Sequence, residues 1–458
     1  MTTANQKIIR IRRDYNSWVA DESLEDFALR YTPVSFRKWS EWKVANTALG
    51  GVSFLALEAI GAVMVLNYGF SNAMWAIFAV ALVAFFTGFP ISYFAARFGV
   101  DIDLLTRGAG FGYVGSTITS LIYAAFTFIF FALEAAIMAL ALKLYLDWPI
   151  SLCYVISALV IIPLVLRGIT LISRLQLWTQ LLWLVLLVCP YIAIGIKDPR
   201  AFVEFTGLSG RLSGTSEFGW LMFGSAFTVA CSLVVQIGEQ VDYLRFLPEK
   251  TKANRFRWWA AVTLAGPGWI LPGAAKMLGG GFLAFLVLQQ QLSTEYASEP
   301  TRMYTAGFAY VFSDPAWVVA ITALFVILSQ VKINVTNAYA GSLAWSNFFA
   351  RVTHSHPGRV VWLVFNVTIA TLLMTLGVFK ALEQVLGLYS NIAIAWIGAI
   401  VADLVVNKPL GLSPKGIEFK RAHLFDINPV GLGATIISAG VALAAYGCLL
   451  YTSPSPRD

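Results

Sequence analysis

Long apolar runs alternate with short polar segments along this chain. The runs lie at roughly 45–67, 72–96, 116–142, 149–167, 177–196, 217–241, 258–288, 314–340, 360–380, 385–406 and 430–450. Each is near or above the ~20 residues that a helix needs to cross a ~30 Å hydrocarbon core. They predict eleven membrane-spanning helices, numbered spans 1–11 in chain order.

Polar positions inside the runs are few, and two of the patterns they form match. Span 1 contains "NTALGGVSFLALEAIGAV" and span 6 "FGSAFTVACSLVVQIGEQVDY", each with glycine beside polar groups. Spans 1–5 and 6–10 then make two five-helix halves whose first helices are both interrupted. Such paired interruptions point to an inverted repeat with a binding site at the membrane midplane. There an unwound helix frees carbonyls for a cation and N–H groups for a ligand. Helix packing through small residues is the other reading of these glycines.

In span 3, Thr127, Phe130, Phe131 and Glu134 fall at i, i+3, i+4 and i+7, on one helical face. A face holding Thr and Glu belongs in the protein interior, because exposing it to lipid is costly. It suits a flat heterocycle, whose ring stacks while polar groups read its edge. The other main charged and strongly polar positions in spans are Glu58, Gln236, Glu239, Lys276, Lys332, Asn334 and Asn337. A lysine at bilayer depth costs roughly 2.5–3.5 kcal/mol on insertion scales, so Lys332 needs a partner or a task.

Composition agrees with a membrane protein. Of 458 residues 58% are hydrophobic and 12% charged, against about 25% charged in a soluble domain. A polar segment, 1–43, with "KIIRIRR" and "DESLED", precedes one transporter-sized domain at 44–450. The net charge of +7 resides in short loops: 243–257 carries five Lys/Arg, and 97–107, 167–174, 351–359 and 408–421 carry at least two each. The positive-inside rule then puts the N-terminus in the cytoplasm of a multi-pass plasma-membrane protein, and nucleic acid is rejected as a partner. Cys153, Cys189, Cys231 and Cys448 are scattered in apolar runs, with neither disulfide nor zinc spacing. His354 and His356 read as a solvated loop pair. "RGAGFGYVG" at 107–115 follows no strand and reads as a tight turn, not a nucleotide site. The "NVT" sequons at 334 and 366 lie in membrane segments and are not glycosylation sites. No catalytic set or metal cluster is spaced for chemistry, so neither an enzyme nor a cofactor is expected. The tail at 451–458 reads as non-native, and a twelfth span is expected beyond it.

Four stretches, in order, resemble the nucleobase:cation symporter-1 family, the permeases of cytosine, purines, uracil, allantoin and hydantoin. They are "LLTRGAGFGYVG" between spans 2 and 3, "QVDYLRF" ending span 6, "NVTNAYAGSLAWSN" in span 8 and "GAIVADLVVN" ending span 10. The likeness extends over about residues 44–450. It implies an all-α polytopic fold of the five-plus-five inverted-repeat, leucine-transporter-like type, with discontinuous helices 1 and 6. It also implies a substrate site between spans 1, 3, 6 and 8. Phe54, Thr127, Phe130, Ser232, Leu233, Asn334 and Asn337 match that site, and Gln236 lies beside it in span 6. Thr127 and Phe130 stand where bacterial cytosine permeases carry glutamine and tryptophan, so cytosine itself is not assured.

The family's sodium site maps onto Gly50 and Ser53 in span 1 and onto Ser329, Lys332 and Ile333 in span 8, where a lysine and an isoleucine replace two hydroxyl ligands. The Lys332 ammonium is therefore expected in or beside the sodium position, linking spans 8 and 1, with Glu58 or Glu134 as counter-charge. Desolvation disfavours a buried ammonium, so such a lysine could load and release a proton. A permanent Lys–Glu pair that only fixes packing is the other reading. The function expected is a secondary active transporter that imports a small planar nitrogen heterocycle by alternating access, coupled to H+ or Na+. The alternative is a transporter-like sensor that binds such a ligand and signals through a further C-terminal domain.

Overall fold

Residues 14–15, 17–290 and 293–452 are described in the computed structural model. The basic run at 7–13, the tail after 452 and the Cys448 side chain lie outside the described residues. The eleven apolar runs are all helical. Spans 2, 3, 5 and 6 are Phe70–Phe98, Ser116–Leu146, Ile169–Lys197 and Trp220–Leu244. Spans 7, 8, 10 and 11 are Pro267–Gln289, Pro315–Val352, Leu382–Asn407 and Pro429–Gly447. Spans 4 and 9 are the shorter apolar helices Ile150–Leu166 and Arg359–Thr375, and span 1 is a bent pair.

Local chemistry sets several helix ends. The Ser40 hydroxyl accepts the Lys43 amide at 3.2 Å and starts span 1. Asp314 accepts the Ala316 amide at 2.9 Å, with Pro315 in the first turn of span 8. Span 8 has 38 residues, about 57 Å of helix, and so projects well beyond a ~30 Å core.

Span 7 differs from the expectation of one helix over 258–288. The backbone leaves the helix at Gly266 (φ −84°, ψ −111°), and Arg255–Ala265 is a separate helix packed on the first half of span 1. Pro267 is the cause: it has no amide to donate, and its ring disfavours helical geometry in the residue before it. The loop at 289–313 likewise contains a helix, Pro300–Ala309, which carries Tyr304 into the interior.

Two sets of helices form the body. Spans 1, 2, 6 and 7 pack on one another, and so do spans 3, 4, 8 and 9. Span 5 lies against the first half of span 1 and against span 8, and span 10 lies between spans 6 and 11. Each set draws equivalent members from both halves of the chain, as an inverted repeat requires. Small residues allow a close contact of the second half of span 1 with span 7. A Cβ at Gly61 would fall 1.9 Å from the Met277 carbonyl oxygen, and one at Gly280 would fall 2.3 Å from the Glu58 Cα.

The described part of the polar N-terminal segment is tied to the helices. Asp26 accepts the Arg359 amide at 2.9 Å and lies 3.1 Å from the His356 ring, which corrects the reading of His356 as solvated. Glu25 accepts the Thr170 amide at 2.8 Å, at the start of span 5. "RGAGFGYVG" does form a turn, with Ala109 and Gly110 outside helical geometry.

Candidate functional site

The sequence "GGVSF" breaks span 1. Helix Glu41–Gly50 tightens to a 3-10 turn at Gly51–Ser53, Phe54 is extended (φ −60°, ψ 131°), and a second helix runs over Ala56–Tyr68. The two halves are bent by 48°. A break of this kind leaves carbonyls of the first half and amides of the second without helical partners.

Buried charged side chains take up both ends. Lys276 of span 7 donates from Nζ to the Val52 carbonyl at 2.8 Å and to the Phe54 carbonyl at 2.6 Å. Glu134 of span 3 accepts the Leu55 and Ala56 amides, each at 3.1 Å. The ammonium thus faces the negative end of one half-helix and the carboxylate the positive end of the other. Lys276 Nζ also lies 3.4 Å from Glu58 Oε2, and Glu58 Oε1 accepts the Tyr304 hydroxyl at 2.9 Å. The rings of Phe54 and Trp183 flank the ammonium, with centroids at 5.7 and 5.5 Å.

Lys332 is placed otherwise than expected. Its ammonium donates to the Gln176 carbonyl (3.3 Å), Thr179 Oγ1 (3.0 Å) and Gln180 Oε1 (3.1 Å), all in span 5. Neither Glu58 nor Glu134 is its counter-charge. The reason is direction: the Lys332 stem leaves span 8 on the face packed against span 5, where these three oxygens converge. Other groups link spans 8 and 1. Ser53 donates from Oγ to the Ser329 carbonyl at 3.0 Å, and Trp183 donates from its indole to Ser329 Oγ at 3.0 Å. The Gln176 amide donates to the Lys332 carbonyl at 2.6 Å and lies against Gly50, where a Cβ would fall 2.3 Å from Gln176 Oε1. Gly50, Ser53, Ser329 and the Lys332 backbone therefore meet around a glutamine side chain, and Ile333 is buried in the same turn. The set keeps the Ser53 and Ser329 hydroxyls, bonded to the Ser329 carbonyl and the Trp183 indole, and lacks the two hydroxyl oxygens that the resemblance implies at Lys332 and Ile333.

The expected ligand residues divide. Phe54 packs edge-on to Phe130 (6.3 Å, 83°) and tilted on Trp269 (6.2 Å, 45°). Asn337 donates to Asn334 Oδ1 at 3.3 Å. Asn334 Nδ2 and Asn337 Oδ1 are buried without a partner among the described residues. Gln236 donates to Glu239 Oε2 at 2.8 Å, and Glu239 Oε1 is likewise unpartnered. Buried polar atoms left open are rare in folded proteins and call for an explanation. Span 6 keeps its course but narrows to a 3-10 turn at Ser232–Gln236, a milder interruption than that of span 1. The Ser232 hydroxyl turns back to the Val229 carbonyl at 2.8 Å, and Leu233 is buried beside it.

Thr127 departs from the expected face. Its hydroxyl donates to the Ala124 carbonyl at 2.7 Å and lies 3.3 Å from Asn366 Oδ1 in span 9, an oxygen that also accepts the Trp345 indole at 3.0 Å. The span 3 stripe is split, with Phe130 and Glu134 facing span 1 and Thr127 facing span 9.

Both ends of the helix bundle are tied across. Where the basic loops gather, Asp103 pairs with Arg107 (3.0 Å) and Arg351 (2.5 Å), and Arg245 reaches Asp101 (3.5 Å) and the Tyr339 hydroxyl (3.2 Å). At the other end, Glu383 at the start of span 10 accepts Asn67 Nδ2 at 2.8 Å and the Tyr68 hydroxyl.

Sequence reasoning missed the part played by Lys276, although it is the sole charge in span 7. It also missed Gln176, although Gln176, Thr179 and Gln180 form a polar stripe at i, i+3 and i+4 in "QLWTQ". Tyr304 lay in a stretch read as a loop and gave no signal.

No family model and no curated protein sequence matches the chain. Solved structures do. Mhp1, a nucleobase-cation-symport-1 family transporter in a closed conformation with bromovinylhydantoin bound, is 17% identical over 93% of this chain and 95% of its own, with a TM-score of 0.60. A Na+-coupled sialic acid symporter in a substrate-bound outward-open state is 13% identical over 94% of each chain, with a TM-score of 0.59. The manganese transporter of Eremococcus coleocola is 13% identical over 95% of this chain and 94% of its own, with a TM-score of 0.55. At these identities the likeness is one of fold: the chain is an all-helical, multi-pass membrane protein of the five-plus-five, leucine-transporter type.

Proposed function

We propose that this protein is a secondary active transporter that carries a small planar nitrogen heterocycle across the plasma membrane by alternating access, with protons rather than sodium as the coupling ion. One observation carries the reading. Phe54, at the break of span 1, packs edge-on to Phe130, and in span 8, which packs on the Gly51–Ser53 turn of that break, the asparagine pair keeps one donor and one acceptor open among the described residues. A flat ring bearing N–H and C=O groups fits such a set: it stacks on the aromatics, and its edge satisfies the amides. Mhp1, of similar fold, holds a hydantoin, which is a ring of that kind. Spans 1, 2, 6 and 7 would rock against spans 3, 4, 8 and 9 about this point.

Charge balance supports the proton. Two buried carboxyl groups, Glu58 and Glu134, face one buried ammonium, Lys276, with the Tyr304 hydroxyl on Glu58. An uncompensated buried charge costs several kcal/mol. One proton shared by the two carboxyl groups removes that excess, and its loss and gain can be tied to the two faces of the membrane.

The test is uptake of labelled cytosine, adenine, uracil, allantoin and hydantoin by cells that lack their own permeases and express this protein. Sodium and proton gradients are varied separately. Uptake of at least one compound should follow the proton gradient, and Asn337→Ala should raise its KM by about tenfold or more, the cost of a lost hydrogen bond to a buried partner. Binding of a heterocycle without uptake would favour a sensor, and neither binding nor uptake would overturn the ligand class.

A further inference from the structure

We propose that Lys276 is the resident cation of the span 1 break: its ammonium takes the carbonyls that a metal ion would otherwise bridge, so that the protein folds and binds its ligand without Na+. The inference deepens the coupling half of the proposed function and rests on that reading for its meaning in transport.

The ammonium has three N–H donors, and three oxygens surround it: the Val52 carbonyl at 2.8 Å, the Phe54 carbonyl at 2.6 Å and Glu58 Oε2 at 3.4 Å. The rings of Phe54 and Trp183 close the remaining sides at cation–π range. The shell is that of a bound monovalent cation, supplied by the chain itself. Its depth is fixed, because span 7 is held against span 1 by the glycine contacts at Gly61 and Gly280. The ammonium cannot diffuse away, so a gradient of a metal cation has nothing to act on at the break.

The other place where spans 1 and 8 approach is filled as well. The Gln176 side chain lies between Gly50 and the Lys332 carbonyl, and Ser53 is bonded to the Ser329 carbonyl. Lys332 directs its own charge to span 5. At the second place Gln176 Oε1 is left without a partner among the described residues, a single oxygen where a sodium ion requires several.

The experiment measures thermal unfolding of the full chain in lipid nanodiscs, in NaCl and in choline chloride at equal ionic strength. The wild-type Tm should be the same in both salts. Lys276→Ala should unfold earlier in choline chloride and regain a few degrees in NaCl or with added methylammonium, because a cation that binds only the folded state raises Tm. A wild-type Tm that rises with Na+ in a saturable way overturns the proposal, and this arm needs no variant. A Lys276→Ala protein indifferent to Na+ and to methylammonium overturns it too. Transport is not involved, so a protein that fails to take up heterocycles yet gives the expected melts counts against the proposed function alone.

Discussion

Two hydrogen bonds from backbone amides reach the Glu134 carboxylate, and both come from the start of one half-helix. Hydrogen bonds to a charged group contribute about 1.5–3 kcal/mol. Glu134→Gln keeps one acceptor oxygen and loses the charge, so a loss of stability near the lower end of that range is expected, read as a lower Tm in detergent or nanodiscs. Tyr304→Phe removes one hydroxyl donor from Glu58 and should cost about 1 kcal/mol by the same measurement. Thr127→Val gives a contrasting outcome. The Thr127 hydroxyl is bonded within span 3 and to Asn366, so ligand affinity in an equilibrium binding assay should change less than about twofold, although stability falls. A large loss of affinity would restore Thr127 to the ligand site. The identity of most of these groups was readable from the chain, because a charge in an apolar run stands out. Their pairing was not. Sequence gives the depth of Lys276 and Lys332 in the membrane, but the direction in which each stem leaves its helix depends on which neighbour packs there.

Helix breaks obey local chemistry and were correspondingly easier to read. Glycine beside polar residues marked span 1, and the structure bends there by 48°. The same signal in span 6 yields only a 3-10 turn, since "CSLVVQIG" carries a single glycine at its end, whereas span 1 has two at the break itself. The turn at Gly266–Pro267 was overlooked because apolar residues continue on both sides of it, so that hydrophobicity outvoted the proline. The close approach of the second half of span 1 to span 7 depends on glycine. Gly61→Val would drive a branched side chain into the Met277 backbone. Overpacking of this kind costs about 1–3 kcal/mol, and it should also shift Lys276 from the break. The variant should show a lower Tm together with weakened ligand binding. A normal Tm would contradict the close approach of these helices.

Across the whole molecule, the proposed transport cycle would move spans 1, 2, 6 and 7 against spans 3, 4, 8 and 9, and the ties at the basic-loop end would have to open for that motion. One tie is the N-terminal segment, joined to the start of span 9 by partners more than 300 positions away, a contact that no local pattern announces. Burial pushes the Asp26 carboxyl up, but the His356 hydrogen bond and charge and the amides of Arg359 and Ala28 outweigh it and hold it below the ordinary carboxylate range. The contact therefore stabilises fully above the ordinary value near 3.9 and weakens as pH falls below it. Cleavage within 17–40 by a protease active from pH 2 to pH 6, measured relative to an unfolded substrate at the same pH, should stay slow from pH 6 to about pH 4 and accelerate below that. Asp26→Asn should abolish the change, with fast cleavage throughout. Constant slow cleavage down to pH 2 would contradict the tie.

The measurement that bears most directly on the account is proton movement in sealed liposomes that contain the purified protein and a pH-sensitive dye, in sodium-free buffer. Addition of a heterocycle that the protein takes up should acidify the lumen in step with uptake. Glu58→Gln should keep binding the compound while losing that proton signal. Uptake that requires Na+ and leaves the internal pH unchanged would contradict both the proton coupling and the role given to Lys276 at the broken helix.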